Sequence, residues 1–213
     1  MTNTNQTIQT IQTTQRNRHL VLGGARSGKS SFAEKQALSA CESLSALEAR
    51  PNRRLNYIAT ATYLDDEMRE RIAHHRQRRG EQWIEHEVPV KLAAKVQSFH
   101  SDDVVLIECL SLWLNNIIFE LGDDATNEQV EAEVEGLVQS VEQSQAQIIM
   151  VSNEVGLGVV PLGKVSRLFV DNAGRMNQAL ARVVEHVTLI AAGLPMILKT
   201  SNKLTYQPSN HQS

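Results

Sequence analysis

Apolar residues along the chain fall into two rhythms. The first is a set of short, nearly unbroken runs: LVL at 20–22, LNYIAT at 55–60, VVLI at 104–107 and QIIMVS at 147–152. Runs of this length, bounded by polar residues, predict strands buried on both faces of a parallel sheet. The second rhythm has helical spacing. Phe32, Ala33, Gln36, Ala37 and Ala40 make a weakly amphipathic helix, expected to end before residues 41–54, where Pro51-Asn52 marks a loop. Residues 65–79 (DDEMRERIAHHRQRR) predict a helix with acids in its first turn and bases in its last, as the macrodipole favours. Pro89 can open another, with Leu92, Val96 and Phe99 on one face. LSLWLNNIIFEL after Glu108 is helical as well.

Thr126 with Gln129 has the form of a capping box, followed by Val130, Val134, Leu137, Val138 and Val141 on one stripe. Residues 153–163 (NEVGLGVVPLG) read as a Gly/Pro-bearing loop. Val165, Leu168, Phe169, Met176, Leu180, Val183 and Val184 mark a long helical region with a bend expected near Gly174. Two runs at 188–192 and 196–199 flank Gly193-Leu194-Pro195 as a closing hairpin. Strands alternating with helices imply an α/β fold: a mainly parallel sheet, helices on both faces and a C-terminal β-hairpin. One domain over 19–199 is expected, between a disordered Thr/Gln-rich segment at 1–18 and a flexible tail at 200–213.

Composition narrows the class. The chain has 213 residues, of which 41% are hydrophobic, and a formal charge of −3. That balance disfavours a general nucleic-acid coat. Cys41 and Cys109 have no C-x-x-C partner, which indicates neither a zinc site nor a disulfide framework. No apolar run approaches the ~18 residues of a membrane span, and the N-terminal stretch lacks the basic start and apolar centre of a secretory signal. A cytoplasmic protein with reduced thiols is the expectation.

The strongest motif follows the first strand. Gly23, Gly24, Ala25, Arg26, Ser27, Gly28, Lys29 and Ser30 match G-x-x-x-x-G-K-[ST], the phosphate-binding loop between a strand and a helix. Glycines let successive N–H groups converge on phosphate oxygens, and the helix aims its N-terminal dipole at the same anion. Lys29 would reach the β/γ-phosphates, and Ser30 would help hold Mg²⁺. The sheet is therefore of the P-loop NTPase type. Open sheets bind ligands at the carboxyl ends of their strands, where Thr60, Glu108, Asn153 and Glu154 lie. Glu108 ends an apolar strand where such enzymes place a Mg²⁺-organising acid, and it could also accept a substrate proton.

In the 65–79 helix, Leu64, Met68 and Ile72 lie on a stripe that His75 continues, while His74 sits about 100° away. His75 is the better chemical candidate of the two, although the spacing alone favours a hydrogen-bonded structural histidine. A neutral imidazole can act as base or nucleophile. The following arginines are either a solvated helix end or a phosphate clamp. Trp83 and Trp113 suit packing better than ring stacking.

Taken in order, GGARSGKS, YIATATYLDDEMRERIAHHRQRR, LIECLSLWLNN, VSNEVGLGVVP and AGRMNQALA resemble the bifunctional adenosylcobinamide kinase/adenosylcobinamide-phosphate guanylyltransferase family of corrinoid metabolism, over roughly residues 19 to 199. The resemblance implies phosphorylation of adenosylcobinamide by ATP or GTP. GMP transfer from GTP through a guanylylated histidine then follows, giving adenosylcobinamide-GDP and pyrophosphate. The family's histidine corresponds to His75. Nucleotide contacts are implied for the 23–30 loop, for Thr60, Ala61 and Thr62, for Arg76, Gln77, Arg78 and Arg79, and for Glu87 and Glu108, with Mg²⁺ on Ser30 and Glu108. Homo-oligomerisation is implied too. Asn153, Glu154 and Arg175 sit in shared motifs without an assigned role. Two rival readings remain at this level: a simple kinase without a covalent intermediate, and a nucleotide-switched module or nucleic-acid-stimulated ATPase, which the net acidity disfavours.

Overall fold

The apolar runs become strands with neighbours on both sides. A computed structural model describes residues 17–47, 53–61, 82–122, 124–158, 162–201 and 203–204. Its strands are β1 (Arg18–Gly23), β2 (Arg54–Ala59), β3 (Trp83–Glu87), β4 (Asp103–Glu108), β5 (Gln147–Asn153), β6 (His186–Ala191), β7 (Leu194–Thr200) and β8 (Lys203–Leu204). They form one sheet in the order β3-β2-β4-β5-β1-β6-β7-β8. All pairings from β3 across to β6 are parallel, and β7 and β8 add antiparallel at one edge. The helices are α1 (Lys29–Leu47), α2 (Leu92–Gln97), α3 (Leu110–Leu121), α4 (Asn127–Gln143) and α5 (Lys164–Val183).

Successive side chains on a strand point to opposite faces, so each central strand feeds two cores. Leu20, Leu22, Val105, Ile107, Ile148 and Met150 pack with residues of α2, α3, α4 and α5. Val21, Val104, Leu106, Ile149 and Val151 pack with Ala33 and Ala37 of α1. The α/β expectation therefore holds, with helices on both faces and the hairpin at the C-terminal edge. The capping box is present in full. Thr126 Oγ1 accepts from the Gln129 N–H, and Gln129 Oε1 accepts from the Thr126 N–H.

Several boundaries differ from the expectation. Helix α1 continues through Cys41 to Leu47, because no Gly or Pro interrupts the chain before Pro51. Helix α2 starts at Leu92 with Lys91 at its N-cap, so Pro89 lies before the helix instead of opening it. Leu92, Val96 and Phe99 are nonetheless buried together. Helix α5 runs uninterrupted through Gly174, and its apolar stripe begins late: Val165 is 51% exposed, whereas Met176 is fully buried. The hairpin turns at Ala192-Gly193, both at positive φ, which places Leu194 and Pro195 inside β7.

Strand β3 had no counterpart in the apolar pattern. Among the described residues it pairs only with β2; it exposes Ile84 and carries Glu85, His86 and Glu87, so its sequence lacks the apolar run of a central strand. Trp83 is its buried anchor, edge-on to Tyr57 at 6.2 Å, and Trp113 is buried with its Nε1–H donated to the Val90 carbonyl; both are packing residues. The helix expected over residues 65–79 lies outside the described residues.

His19 faces His186 across β1 and β6, and one of its ring nitrogens, Nε2, is 2.8 Å from Thr188 Oγ1. Burial, reinforced by His186, lowers its pKa from 6.5 to about 4. Between those values the unfolded chain binds a proton that the folded chain does not. The stabilisation is therefore fully present above pH 6.5 and is lost as pH falls toward 4. Replacing His19 with Gln should remove this dependence. In denaturant titrations, the stability difference between wild type and variant should shift by up to roughly 3 kcal/mol across that window and stay flat above it.

Candidate active site

The site begins where β1 runs out of strand. Gly23 is followed by a turn that closes with the Ser27 N–H on the Gly24 carbonyl and enters α1 with the Phe32 N–H on the Gly28 carbonyl. Gly28 has φ +95°, a conformation that side chains disfavour. At Gly23 the reason for glycine is space. An added Cβ would lie 2.5 Å from Ser27 Oγ and 2.6 Å from the Ile190 carbonyl oxygen of β6. The turn is also held from outside, by the Gly193 N–H on the Ser27 carbonyl and the Glu154 N–H on the Gly23 carbonyl. Gly24 has open space around it. Lys29 is buried, with its ammonium donated to the Gly24 carbonyl at 2.9 Å. Burial pushes its pKa down, and neighbouring Cys109 and Glu108 oppose the fall. All eight predicted loop residues, Gly23 through Ser30, thus sit in the strand–turn–helix unit the motif requires.

Beside this turn, β4 delivers Glu108. Its Oε1 accepts from Ser30 Oγ, and its Oε2 accepts from the Tyr57 hydroxyl at 3.2 Å. The two predicted metal residues therefore meet each other. Mg²⁺ usually takes one or two protein oxygens and completes its shell with phosphates and water. A hydroxyl and a carboxylate converging beside a phosphate loop fit that requirement. Tyr57 had no signal in the sequence. It reaches Glu108 because Tyr57 pairs with Leu106 and Ala59 with Glu108, so tyrosine and glutamate share the α1 face.

Thr60 occupies its expected place after β2 but its polar atoms are committed within the protein. It is fully buried. Its hydroxyl donates to the Cys109 carbonyl at 2.7 Å and accepts from the Cys109 N–H at 2.8 Å. Its carbonyl accepts from Asn116 Nδ2, which also bonds the Pro89 carbonyl. Thr60 thus fixes the chain on the C-terminal side of Glu108 and acts as a positioning residue. Ala61 follows, half-buried. Glu87 ends β3 at the same edge, exposed, and pairs with Ala59 as Ala59 pairs with Glu108. Asn153 ends β5 beside Gly23, with its N–H donated to Ser111 Oγ at 2.7 Å. Arg175 is placed differently: its Nη1 bonds Asn127 and Glu131 on α4. Thr62, His74, His75, Arg76, Gln77, Arg78 and Arg79 lie outside the described residues.

Replacing Thr60 with Val removes both partners of the buried Cys109 peptide groups. The expected cost is about 2–4 kcal/mol of stability, read by denaturant unfolding, together with reduced activity, whereas Thr60→Ser should retain most of both.

The model of the cobinamide kinase/cobinamide phosphate guanyltransferase family matches residues 19–198. The bifunctional adenosylcobalamin biosynthesis protein CobP of Pseudomonas aeruginosa is 45% identical over 183 residues, covering 85% of this chain and 97% of the relative. The bifunctional adenosylcobalamin biosynthesis protein CobU of Escherichia coli K12 is 36% identical over 190 residues, covering 84% and 98%. Among solved structures, a KaiC-like protein of Pyrococcus horikoshii aligns over 81% of this chain and 70% of its own, at 12% identity and a TM-score of 0.42. With the family match spanning the strand–turn–helix unit, Glu108 and the closing hairpin, the chain belongs to the cobinamide kinase/cobinamide phosphate guanyltransferase family.

Proposed function

We propose that this chain carries out both reactions of its family at one nucleotide site, first as adenosylcobinamide kinase and then as adenosylcobinamide-phosphate guanylyltransferase. The observation that carries the reading is the meeting of Ser30 and Glu108 beside the Gly23–Ser30 loop, which supplies the chemistry a nucleoside triphosphate needs. In the kinase step, the terminal hydroxyl oxygen of adenosylcobinamide bonds to the γ-phosphorus of ATP or GTP. The bond to the β–γ bridging oxygen breaks, the nucleoside diphosphate leaves with that electron pair, and the hydroxyl proton ends in solvent. Backbone N–H groups of the loop and the ammonium of Lys29 face the charge that develops on the phosphate oxygens. Ser30 and Glu108 would hold Mg²⁺, which, when bound, neutralises phosphate charge.

In the second step, the neutral imidazole of His75 bonds to the α-phosphorus of GTP, and pyrophosphate leaves. A phosphate oxygen of adenosylcobinamide phosphate then displaces the imidazole, breaking the P–N bond and giving adenosylcobinamide-GDP. Splitting the transfer in two lets bulky acceptor and donor bind in turn. Thr62, Arg76, Gln77, Arg78, Arg79 and Glu87 would complete the nucleotide contacts. The net charge of −3 supports small-molecule substrates over nucleic acid. We place the enzyme in the cytoplasm, in keeping with a described chain in which no helix is long and apolar enough to cross a membrane. Leu194, Met196 and Ile197, exposed along β7, support a homo-oligomer.

The covalent intermediate separates this reading from a simple kinase. Incubation with GTP labelled at the α-phosphate should leave acid-labile label on the wild-type protein, none on His75→Ala and most of it on His74→Ala. Undiminished label on His75→Ala would remove His75 from the mechanism.

A further inference from the structure

Asn153 is placed by the sheet between the two halves of the nucleotide site. β5 lies between β1, which carries the phosphate loop, and β4, which carries Glu108. Gly23 pairs directly with Asn153, while Glu108 pairs with Val151. Val151 packs with Ala33 and Ala37 of α1, so Asn153, two residues on, has its Cβ on the same face as Gly23, Tyr57 and Glu108. It is the last residue of its strand and projects from the carboxyl edge of the sheet, where open α/β sheets receive ligands.

The backbone of Asn153 is fixed and its side chain is not used. Its N–H donates to Ser111 Oγ at 2.7 Å, and its carbonyl meets Asn177 Nδ2 in a long contact of 3.5 Å. The next residue, Glu154, donates its N–H to the Gly23 carbonyl at 3.0 Å and accepts the Gly156 N–H on Oε1. The strand end is therefore tied to α3, α5 and the phosphate loop at once. The carboxamide of Asn153 has no hydrogen-bonding partner among the described residues and is only half-buried. A neutral amide on a fixed backbone, with no partner among the described residues, is available to a group that arrives from solvent.

The neighbouring groups say which part of a nucleotide it meets. Loop N–H groups cradle the α- and β-phosphates, and the P-loop lysine reaches the β- and γ-phosphates. Ser30 and Glu108, which meet at the foot of this loop, would hold Mg²⁺ and so bring its charge to the same phosphates. A γ-phosphate approached by Lys29 from the end of β1 and by Glu108 from the end of β4 would lie over the end of β5, the strand between them. We infer that the Asn153 carboxamide is a catalytic residue of the phosphoryl transfer, its Nδ2–H donating to a γ-phosphate oxygen and telling nucleoside triphosphate from diphosphate. Asn153 exchanges no proton and forms no covalent bond. It holds the γ-phosphoryl group in line and shares the charge on its oxygens as the bond to the bridging oxygen breaks. The assignment rests on the nucleotide-site reading above.

The test compares wild type, Asn153→Ala and Asn153→Asp for binding of GTP and GDP with Mg²⁺ and without corrinoid. The ratio of GTP to GDP affinity should fall about tenfold in Asn153→Ala, the size of one hydrogen bond to a charged oxygen. It should fall further in Asn153→Asp, where an isosteric carboxylate opposes the γ-phosphate. A purely structural asparagine would tolerate the isostere. At saturating nucleotide, phosphoryl transfer should slow by about 100-fold in Asn153→Ala. A structure of the wild-type chain with a non-hydrolysable GTP analogue gives the same answer without any variant: Nδ2 should lie about 3 Å from a γ-phosphate oxygen. An unchanged affinity ratio in both variants, or an amide turned away from the γ-phosphate in that structure, overturns the assignment while leaving the nucleotide site standing. Failure of the wild-type chain to bind either nucleotide overturns both.

Discussion

The active end of this molecule depends on a close approach of backbone to backbone at residue 23. β1 is flanked by parallel strands on both sides, and at its last residue the Ile190 carbonyl of β6 comes within 2.6 Å of where a Cβ would stand. Only glycine fits, and the tightness is useful. It lets the Ser27 carbonyl reach the Gly193 N–H of the hairpin turn, while Glu154 donates to the Gly23 carbonyl from the other side. The turn is clamped through two carbonyls, which leaves backbone N–H groups available to an anion. A loop held this way has its geometry set before any ligand arrives.

A second clamp serves the acidic side of the site. Thr60 satisfies both peptide groups of Cys109 in a fully buried setting, and Asn116 ties the Thr60 carbonyl to the segment after β3. The ends of β2, β3 and β4 are held in fixed relation, and Glu108 emerges from them between Ser30 and Tyr57. Burying so much polar backbone is tolerable only because each group has a partner close by. The same logic applies to Lys29. Its ammonium is kept from water, which lowers its pKa, and Glu108 and Cys109 oppose that fall.

The two hydrophobic layers supply the frame on which these clamps are mounted. Alternating residues of β1, β4 and β5 bury themselves against α1 on one face and against α2, α3, α4 and α5 on the other. A slip of one residue in any of these strands would exchange the two sets of side chains and move Gly23, Glu108 or Asn153 off the shared face. Core packing thus enforces the register that the chemistry needs.

Much of this was readable from the chain alone, for local reasons. The phosphate loop is a contiguous motif whose spacing carries its own mechanics, and buried parallel strands announce themselves as apolar runs. The Thr126–Gln129 capping box is likewise complete within four residues. Other features were not local. Strand β3 is an edge strand rich in charge, so its existence depends on β2 offering hydrogen bonds, and nothing in WIEHE shows that. Tyr57 bears on Glu108 only through the pairing of β2 with β4. Thr60 lies where a ligand contact was expected, yet its hydroxyl is spent on a peptide group 49 residues away. Asn153 was visible in a shared motif, but its place between the phosphate loop and Glu108 follows only from the strand order. Sequence specifies short-range chemistry and periodicity directly; which strand lies beside which is settled by packing the whole sheet at once, because register and neighbour choice minimise exposed apolar surface and unpaired backbone over all strands together.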